Sequence, residues 1–253
     1  MGKIIAVASQ KGGVGKTTTA INLSAVAADE GRRVLLVDMD PQGNAGSGLG
    51  LIPDEAEPTI YEVLVDNFPI EQAIRRDHLP ALDVLPSGQK LSGAEVELVG
   101  VMARETKLRQ VLAQVRDQYD YIFIDCPPSL GLLTINTLTA ADSVLIPLQC
   151  EYYALEGLTQ LIRTIQLVQE NLNPSLRIEG VLLTMFDARV NLSQQVADEA
   201  RKFFSDRVYQ TVIPRNVRLS EAPSFGKPII HYDGTSSGAQ SYRSLAQEVM
   251  LHD

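Results

Sequence analysis

The chain has 253 residues, of which 45% are hydrophobic, and it carries a net charge of −9. This length suits a single α/β domain over residues 1–253, and no run reaches the roughly 20 apolar residues that a membrane-spanning helix needs. The negative charge argues against nonspecific affinity for DNA or anionic lipid over most of the surface. Residues 186–253, however, hold eight Lys and Arg against eight Asp and Glu, so a local basic face there fits the composition.

The cysteines and the start of the chain bear on where the protein works. Cys126 and Cys150 are too few for a disulfide framework, and they fit a reducing compartment. The first apolar run begins directly after residues 1–3, without the pattern of a signal peptide. We therefore expect a cytoplasmic protein whose two cysteines are structural.

A glycine-rich loop at residues 10–18 follows the first apolar run, Ile4 to Ala8, which is typical of a buried strand. The stretch from Thr18 to Ala28 is rich in Ala, Leu and Ile and predicts a helix. Strand, glycine loop and helix together indicate a phosphate-binding loop, in which backbone N–H groups and the helix N-terminus point at the anion. Lys16 is placed to reach the outer phosphates of a nucleotide, and the Thr17 hydroxyl to hold Mg²⁺.

This loop departs from the usual pattern at one position. A glycine is expected five residues before the Gly-Lys-Thr, and Gln10 stands there. The loop has instead a second lysine, Lys11, directly before its first glycine. Most lysines are simply solvated, but a cation beside phosphate has a strong partner. The residues predicted to bind nucleotide are Lys11, Gly12, Gly13, Val14, Gly15, Lys16, Thr17 and Thr18.

Two acidic segments end the next apolar strands. Arg33 to Asp38 predicts a second buried strand, and Asp38 and Asp40 lie at its carboxyl end, where open α/β sheets place their ligands. Tyr119 to Asp125 is a further apolar strand that ends in aspartate, the general form of a Walker B segment. A carboxylate at such a place can orient water for attack on a phosphate, complete a magnesium shell or merely cap a turn.

The chain between these acidic segments carries no predicted chemistry. We expect a flexible loop at residues 46–50, followed by elements without functional side chains. The predicted helices are 59–65, 94–101 and 107–115, and the predicted strand is 82–86.

The second half of the chain continues the alternation of strands and helices. Residues 149–157 indicate a loop that leads into a helix, and its adjacent Tyr152 and Tyr153 are more typical of packing than of function. The alternation predicts an α/β fold, a doubly wound, mostly parallel sheet with helices on both faces. The predicted strands are 143–147, 178–185 and 208–213, and the predicted helices are 155–172, 193–204 and 239–251.

The sequence resembles the deviant P-loop ATPases of the partition and cell-division family, which includes ParA, Soj, MinD and the nitrogenase iron protein. The resemblance rests on Lys-Gly-Gly-Val-Gly-Lys-Thr at residues 11–17, Asp-Met-Asp-Pro-Gln-Gly-Asn at 38–44 and the strand at 119–125. Residues 149–157 and 212–228 resemble Soj-type proteins most closely. The resemblance spans essentially the whole chain. The lack of an added helix-turn-helix domain fits the short chromosomal type of these ATPases.

The resemblance implies roles for the charged residues of the site. Lys11 would contact phosphate across a dimer interface, and Asp40 would position the hydrolytic water. Asp38 and Asp125 would support Mg²⁺ together with Thr17. Residues 126–129 resemble a switch segment that reports the nucleotide state through its backbone.

The resemblance also implies a pocket for the base. The ends of two strands would close over the adenine, with Met185 and Pro214 against its faces and the amide of Asn216 at its edge. Met185 fits a plain core position equally well.

A DNA-binding surface is implied as well. Arg189 and Arg218 fall where similar proteins use arginines for nonspecific DNA binding, although by themselves they suit ordinary solvated positions. Similar proteins often carry a further basic residue near residues 234–238, and this chain has none there.

The function implied by the resemblance is an ATPase switch that uses ATP and Mg²⁺. ATP binding would join two subunits into a homodimer, the dimer would bind double-stranded DNA nonspecifically, and hydrolysis would release it. The implied partner is a ParB-like centromere-binding protein, and the implied process is the segregation of chromosome origins on the nucleoid.

Two other functions stay open from the sequence. A MinD-like membrane-associated division-site ATPase needs a basic amphipathic C-terminal helix, whereas residues 247–253 are acidic, so we expect no stable membrane association. A metabolic enzyme on the same core needs either a small-molecule pocket, for a ligase, or a thiolate cluster, for an iron–sulfur reductase. Cys126 and Cys150 lack the spacing of cluster ligands.

Overall fold

Seven strands form one sheet in the order β3-β4-β2-β5-β1-β6-β7, in a computed structural model that describes residues 1–54, 56–151 and 154–251. All neighbouring strands are parallel except β3 and β4, which are antiparallel. The predicted doubly wound, mostly parallel sheet is thus confirmed. The strands are β1 (Lys3–Val7), β2 (Val34–Asp38), β3 (Arg75–Leu79), β4 (Leu82–Leu85), β5 (Tyr121–Asp125), β6 (Ser143–Gln149) and β7 (Arg177–Thr184).

Helices connect these strands, and most of the predicted helices are confirmed within a few residues of their expected ends. Tyr152 and Tyr153 lie outside the described residues. The α-helices of the described chain are α1 (Lys16–Asp29), α2 (Asn44–Gly48), α3 (Ile60–Val65), α4 (Ile70–Ala73), α5 (Leu91–Glu97), α6 (Lys107–Leu112), α7 (Leu132–Ala140), α8 (Ala154–Asn171), α9 (Asn191–Phe204), α10 (Val217–Glu221), α11 (Ile229–Tyr232) and α12 (Ser237–Leu251).

The sheet is buried on both faces. Successive side chains of a strand point to opposite faces, so Ile4 and Ala6 of β1 lie in one core and Ile5 and Val7 in the other. Helices α3 to α9 cover the first core, and α1, α2 and α10 to α12 cover the second. Burial on both sides explains why the parallel strands have continuous rather than alternating apolar sequences.

The last helix packs on the sheet as predicted. Leu245, Ala246 and Val249 of α12 are buried in the second core. In the part of the chain that the structure describes, no helix combines the length and the apolar character that crossing a membrane requires.

The predicted loop at residues 46–50 is wrong, because residues 44–48 form helix α2. The Asp38 carboxylate accepts the backbone N–H groups of Ala45 and Gly46, at 2.9 and 3.2 Å, and so satisfies the open start of this helix. Asn-Ala-Gly-Ser-Gly has weak helix propensity by itself. A cap that comes from the neighbouring strand therefore decides the structure.

The predicted strand at residues 208–213 is also wrong. This segment touches β7 through one isolated bridge, Val208 with Val181, and a second bridge, Pro214 with Phe186, lies just beyond both. Between them, the N–H groups of Gln210 and Thr211 donate to the Glu248 carboxylate of α12, each at 2.8 Å, and not to a strand. The edge strand β3 and helix α7 were not predicted.

Glu248→Ala tests this anchoring of residues 210–211. Glu248 also accepts the hydroxyl of Thr211, so the substitution leaves three donors without their acceptor. We expect the free energy of unfolding in urea to fall by about 2 kcal/mol. Gln247→Ala, an exposed neighbour on the same helix, is the control and should change stability little. Equal losses in the two variants would contradict the assignment.

Candidate functional site

The glycine-rich loop joins β1 to α1 at the carboxyl edge of the sheet. Gly13 and Gly15 have φ values of +74° and +91°, which strain any residue that carries a side chain. Gly15 is also the N-cap of α1 and supplies no side-chain cap, so the first N–H groups of the helix are left for an anion. The Thr184 hydroxyl donates to the Val14 carbonyl at 2.8 Å and fixes the loop against the end of β7.

The two lysines of the loop are both engaged by protein groups. Lys16 is buried, and its ammonium donates to the carbonyl oxygen of Lys11 at 3.2 Å. Burial lowers the pKa of Lys16, while the negative charge of Asp125 acts in the opposite direction. The ammonium of Lys11 lies 3.3 Å from a carboxylate oxygen of Glu151.

Asp38 and Asp125 end adjacent parallel strands and stand opposite each other in the register. Both side chains are fully buried. Asp38 accepts backbone N–H groups from Asp40, Ala45 and Gly46, so its oxygens are occupied by the loop that follows β2. Burial raises the pKa of Asp38 to about 7, although these three hydrogen bonds lower it.

The Asp125 carboxylate has no comparable support. Within the described chain, neither of its oxygens has a hydrogen-bond partner. Burial and then the negative charge of Asp38 hold the pKa of Asp125 well above its usual range, and the nearby Thr17 hydroxyl and Lys16 ammonium only partly oppose this. A buried carboxylate without a donor beside a hydroxyl is a donor set that fits Mg²⁺.

The described residues form no cluster of three or more His, Cys, Asp or Glu side chains arranged to hold a metal ion by themselves. Mg²⁺ usually keeps several waters and binds through one or two protein oxygens together with substrate phosphates. Thr17 and Asp125 therefore fit a magnesium ion that arrives with a nucleotide.

A cleft of about 900 Å³ opens above these groups. It is lined by the loop residues 12–13 and 15–18, by Asp40 and by Pro128 of the predicted switch segment. Asp40 is nearly buried and accepts the N–H of Gln42 at 3.0 Å. Lys11 is not among the described residues that line this cleft.

The three predicted adenine residues come together around an adjoining cavity of about 340 Å³. Met185, Pro214 and Asn216 all line it, and Met185 also lines the larger cleft. The Asn216 amide is already engaged, since its oxygen caps α10 at the N–H of Arg218 and its nitrogen donates to Ser237, each at 2.8 Å. The adenine roles stay predictions.

The two predicted DNA-binding arginines are exposed and paired with carboxylates. Arg189 donates to both oxygens of Asp187, at 2.9 and 2.7 Å, and holds the pKa of Asp187 at about 2. Arg218 lies 2.9 Å from Glu221 and 3.5 Å from Asp233. Exposed pairs of this kind are weak, so the arginines can exchange these carboxylates for another anion.

Both cysteines are buried and free, as expected for structural groups. Burial raises the pKa of the Cys150 thiol to about 11 and that of Cys126 further still. Raised pKa values of this kind disfavour the thiolate form that nucleophilic chemistry needs at neutral pH.

Sequence reasoning missed two residues of the site, Thr184 and Glu151. Thr184 ends an apolar strand, a position that could have drawn attention, because strand ends meet at the site. For Glu151 no local signal existed, since its contact with Lys11 spans 140 residues.

Comparisons with known proteins agree with this geometry. A model of a family described as an AAA domain matches residues 2–178. The chain is 61% identical to the sporulation initiation inhibitor protein Soj of Bacillus subtilis, over 98% of both chains. It is 59% identical to the chromosome partitioning protein ParA of Myxococcus xanthus, over 100% of this chain and 89% of that protein.

The chain belongs to the ParA/Soj family of chromosome-partitioning ATPases. A solved structure with the same fold is cobyrinic acid a,c-diamide synthase from Mycobacterium smegmatis with bound ADP and magnesium. It is 39% identical, with a TM-score of 0.87 over 100% of this chain and 95% of that one. The predicted family is thus confirmed.

Asp125→Asn tests the buried, unsupported carboxylate in nucleotide-free protein. Because burial raises the pKa of Asp125, its contribution to folding is present at low pH and is lost as the pH rises through the folded-state pKa. We expect the variant to unfold in urea with about 1 to 3 kcal/mol more stability than wild type at pH 8, and with a smaller gain at pH 5. Asp117→Asn, at an exposed position, should show neither effect. A loss of stability at pH 8 would contradict the assignment.

Proposed function

We propose that this protein is an ATP-dependent dimerising switch that binds DNA nonspecifically and drives chromosome segregation, reset by hydrolysis of ATP to ADP and phosphate. One observation supports the switch above all: Lys11 does not line the cleft that loop residues 12–13 and 15–18 line. A lysine that does not face its own nucleotide is placed to meet the phosphates of a second copy.

Each charged residue has a role in the proposed reaction. The open N-terminus of α1 and Lys16 would bind the phosphate chain, and Thr17 and Asp125 would hold Mg²⁺, which would supply positive charge against the phosphates. Asp40 orients the attacking water. Asp38, whose oxygens are taken by three N–H groups, supports the magnesium shell indirectly by fixing the loop that carries Asp40.

The base and DNA surfaces extend the proposal. Adenine lies in the cavity between Met185, Pro214 and Asn216. Arg189 and Arg218 bind DNA phosphates, and a dimer doubles their number. Each phosphate contact releases counterions and the contributions multiply, so a patch that is weak in one subunit becomes effective in two.

The partner and the place follow from the family. Among the relatives, the ParA of Myxococcus xanthus and the Soj of Treponema pallidum are named as chromosome-partitioning proteins. We infer that a ParB-like centromere-binding protein stimulates hydrolysis and that the dimer resides on the nucleoid in the cytoplasm.

The alternatives are less well supported. α12 turns its apolar residues to the core and uses Glu248 to hold residues 210–211, which leaves no basic amphipathic face for lipid. The ligase alternative draws on a relative at 39% identity, below the 61% and 59% of the partition proteins. ATP hydrolysis stimulated by DNA and partner, without a second small molecule, would exclude a ligase.

Lys16→Ala and Lys11→Ala should separate nucleotide binding from dimerisation. Lys16 is buried in the cleft, so its loss should abolish binding of ADP and ATP in calorimetry. Lys11 lies outside the cleft, so Lys11→Ala should bind ADP as wild type does but stay monomeric in light scattering with saturating ATP and Mg²⁺. Unchanged ATP affinity in Lys16→Ala would contradict the assignment of the nucleotide-binding site.

Asp40→Ala should block hydrolysis and trap an ATP-bound dimer that binds nonspecific DNA, while the ADP and nucleotide-free forms bind weakly.

In the Asp40→Ala background, Arg218→Ala should weaken DNA binding and reduce the slope of log affinity against log salt by about 2 per dimer. Arg33→Ala is a matched control, because Arg33 is exposed and paired with both oxygens of Asp120 at the opposite edge of the sheet. Equal DNA binding in all nucleotide states, or ATP-dependent sedimentation with anionic vesicles, would contradict the proposal.

A further inference from the structure

Glu151 follows β6 and contacts three side chains, of which two come from distant parts of the chain. Its Oε2 lies 3.3 Å from the Nζ of Lys11. Its Oε1 accepts the side-chain amide of Gln149 at 2.5 Å and lies 3.6 Å from the guanidinium of Arg215. One carboxylate thus links the phosphate-binding loop to the segment that lines the proposed adenine cavity.

The rest of the loop is also held by groups of the same subunit. The Lys16 ammonium, which a phosphate would claim, donates to the backbone carbonyl of Lys11. Gln10 donates from its side-chain amide to Gln160 of α8. In a single subunit, therefore, both the backbone and the side chain of Lys11 have protein partners.

We propose that Glu151 is a positioning residue that stores Lys11 within its own subunit, so that Lys11 must exchange Glu151 for a phosphate oxygen when a second copy of this chain docks. This inference rests on the proposed ATP-driven dimerisation. Breaking the contact between Lys11 and Glu151 costs free energy, which opposes association until nucleotide is bound to the second subunit.

The exposure of the pair sets the size of this cost. The side chains of Lys11 and Glu151 are 38% and 46% exposed, so solvent screens their attraction and the pair opens readily. Its loss should favour dimerisation by roughly two- to five-fold per subunit, and hence by roughly four- to 25-fold in the dimer dissociation constant. A fully buried pair would have held Lys11 too strongly for this exchange.

Arg215 should act in the opposite direction. Lys11 and Arg215 share the single negative charge of Glu151, and two cations beside one carboxylate repel each other. Without Arg215, Glu151 holds Lys11 more strongly. Because Arg215 lies between Pro214 and Asn216, a base in the cavity they line can shift this competition.

The test measures dimerisation against the concentration of a non-hydrolysable ATP analogue with Mg²⁺, by analytical ultracentrifugation. Glu151→Gln should dimerise at lower analogue concentration than wild type, Arg215→Gln at higher concentration, and the double variant like Glu151→Gln alone. Glu151→Asp should restore part of the wild-type behaviour. Glu170→Gln, which removes an exposed carboxylate on α8 and away from Lys11, is the matched control.

Two further readouts separate storage of Lys11 from a structural role. ADP affinity of Glu151→Gln should equal that of wild type, because Lys11 does not line the cleft. The difference between Glu151→Gln and wild type should shrink at about 1 M salt, where screening acts within about 3 Å.

The outcomes are distinct. Dimerisation of Glu151→Gln that matches Glu170→Gln, or that needs more analogue than wild type, overturns the storage role. A shift of Arg215→Gln to lower analogue concentration overturns the competition. Wild-type protein that stays monomeric at saturating analogue would instead overturn the proposed function.

Discussion

Three carboxylates and one ammonium group share the carboxyl edge of the central sheet, where little water reaches them. Asp38, Asp40 and Asp125 are buried or nearly so, and Lys16 is the cation among them. Such an imbalance of buried charge costs folding free energy, which the apolar cores on both faces of the sheet must offset. A divalent cation and a phosphate chain would together complete this arrangement, so the same charges that cost folding free energy favour binding of such a ligand.

Polar side chains at this edge of the sheet also hold the surrounding loops in place. Asp38 serves as a cap for α2, and in doing so it orders the segment that presents Asp40. Thr184, at the end of β7, fixes the glycine loop through its hydrogen bond to Val14. Glu151 contacts the lysine of that loop that does not line the cleft. These contacts hold the loops of the site in place, and the proposed dimerisation would replace one of them, the contact of Lys11 with Glu151.

The agreement between sequence and structure has a clear limit. Strands β1, β2 and β5 and their terminal aspartates were predictable, because apolar runs and abrupt changes to acidic residues are local patterns. Helix α2 and the segment at 208–213 were not, because some of their backbone N–H groups donate to Asp38 and Glu248, which lie on other elements. Local secondary-structure propensity does not predict the backbone conformation where a carboxylate on another element accepts the hydrogen bonds.

The sequence by itself determined the strand-loop-helix unit, the acidic strand ends and the second lysine of the loop, since each depends on residues that are neighbours in the chain. The tertiary structure alone decided which of these groups meet. It separated Asp38, held by three N–H groups, from Asp125, held by none, although both end an apolar strand in the same way. It also joined Lys11 to Glu151, because the order of strands in a parallel sheet, and not their order in the chain, decides which loops are adjacent.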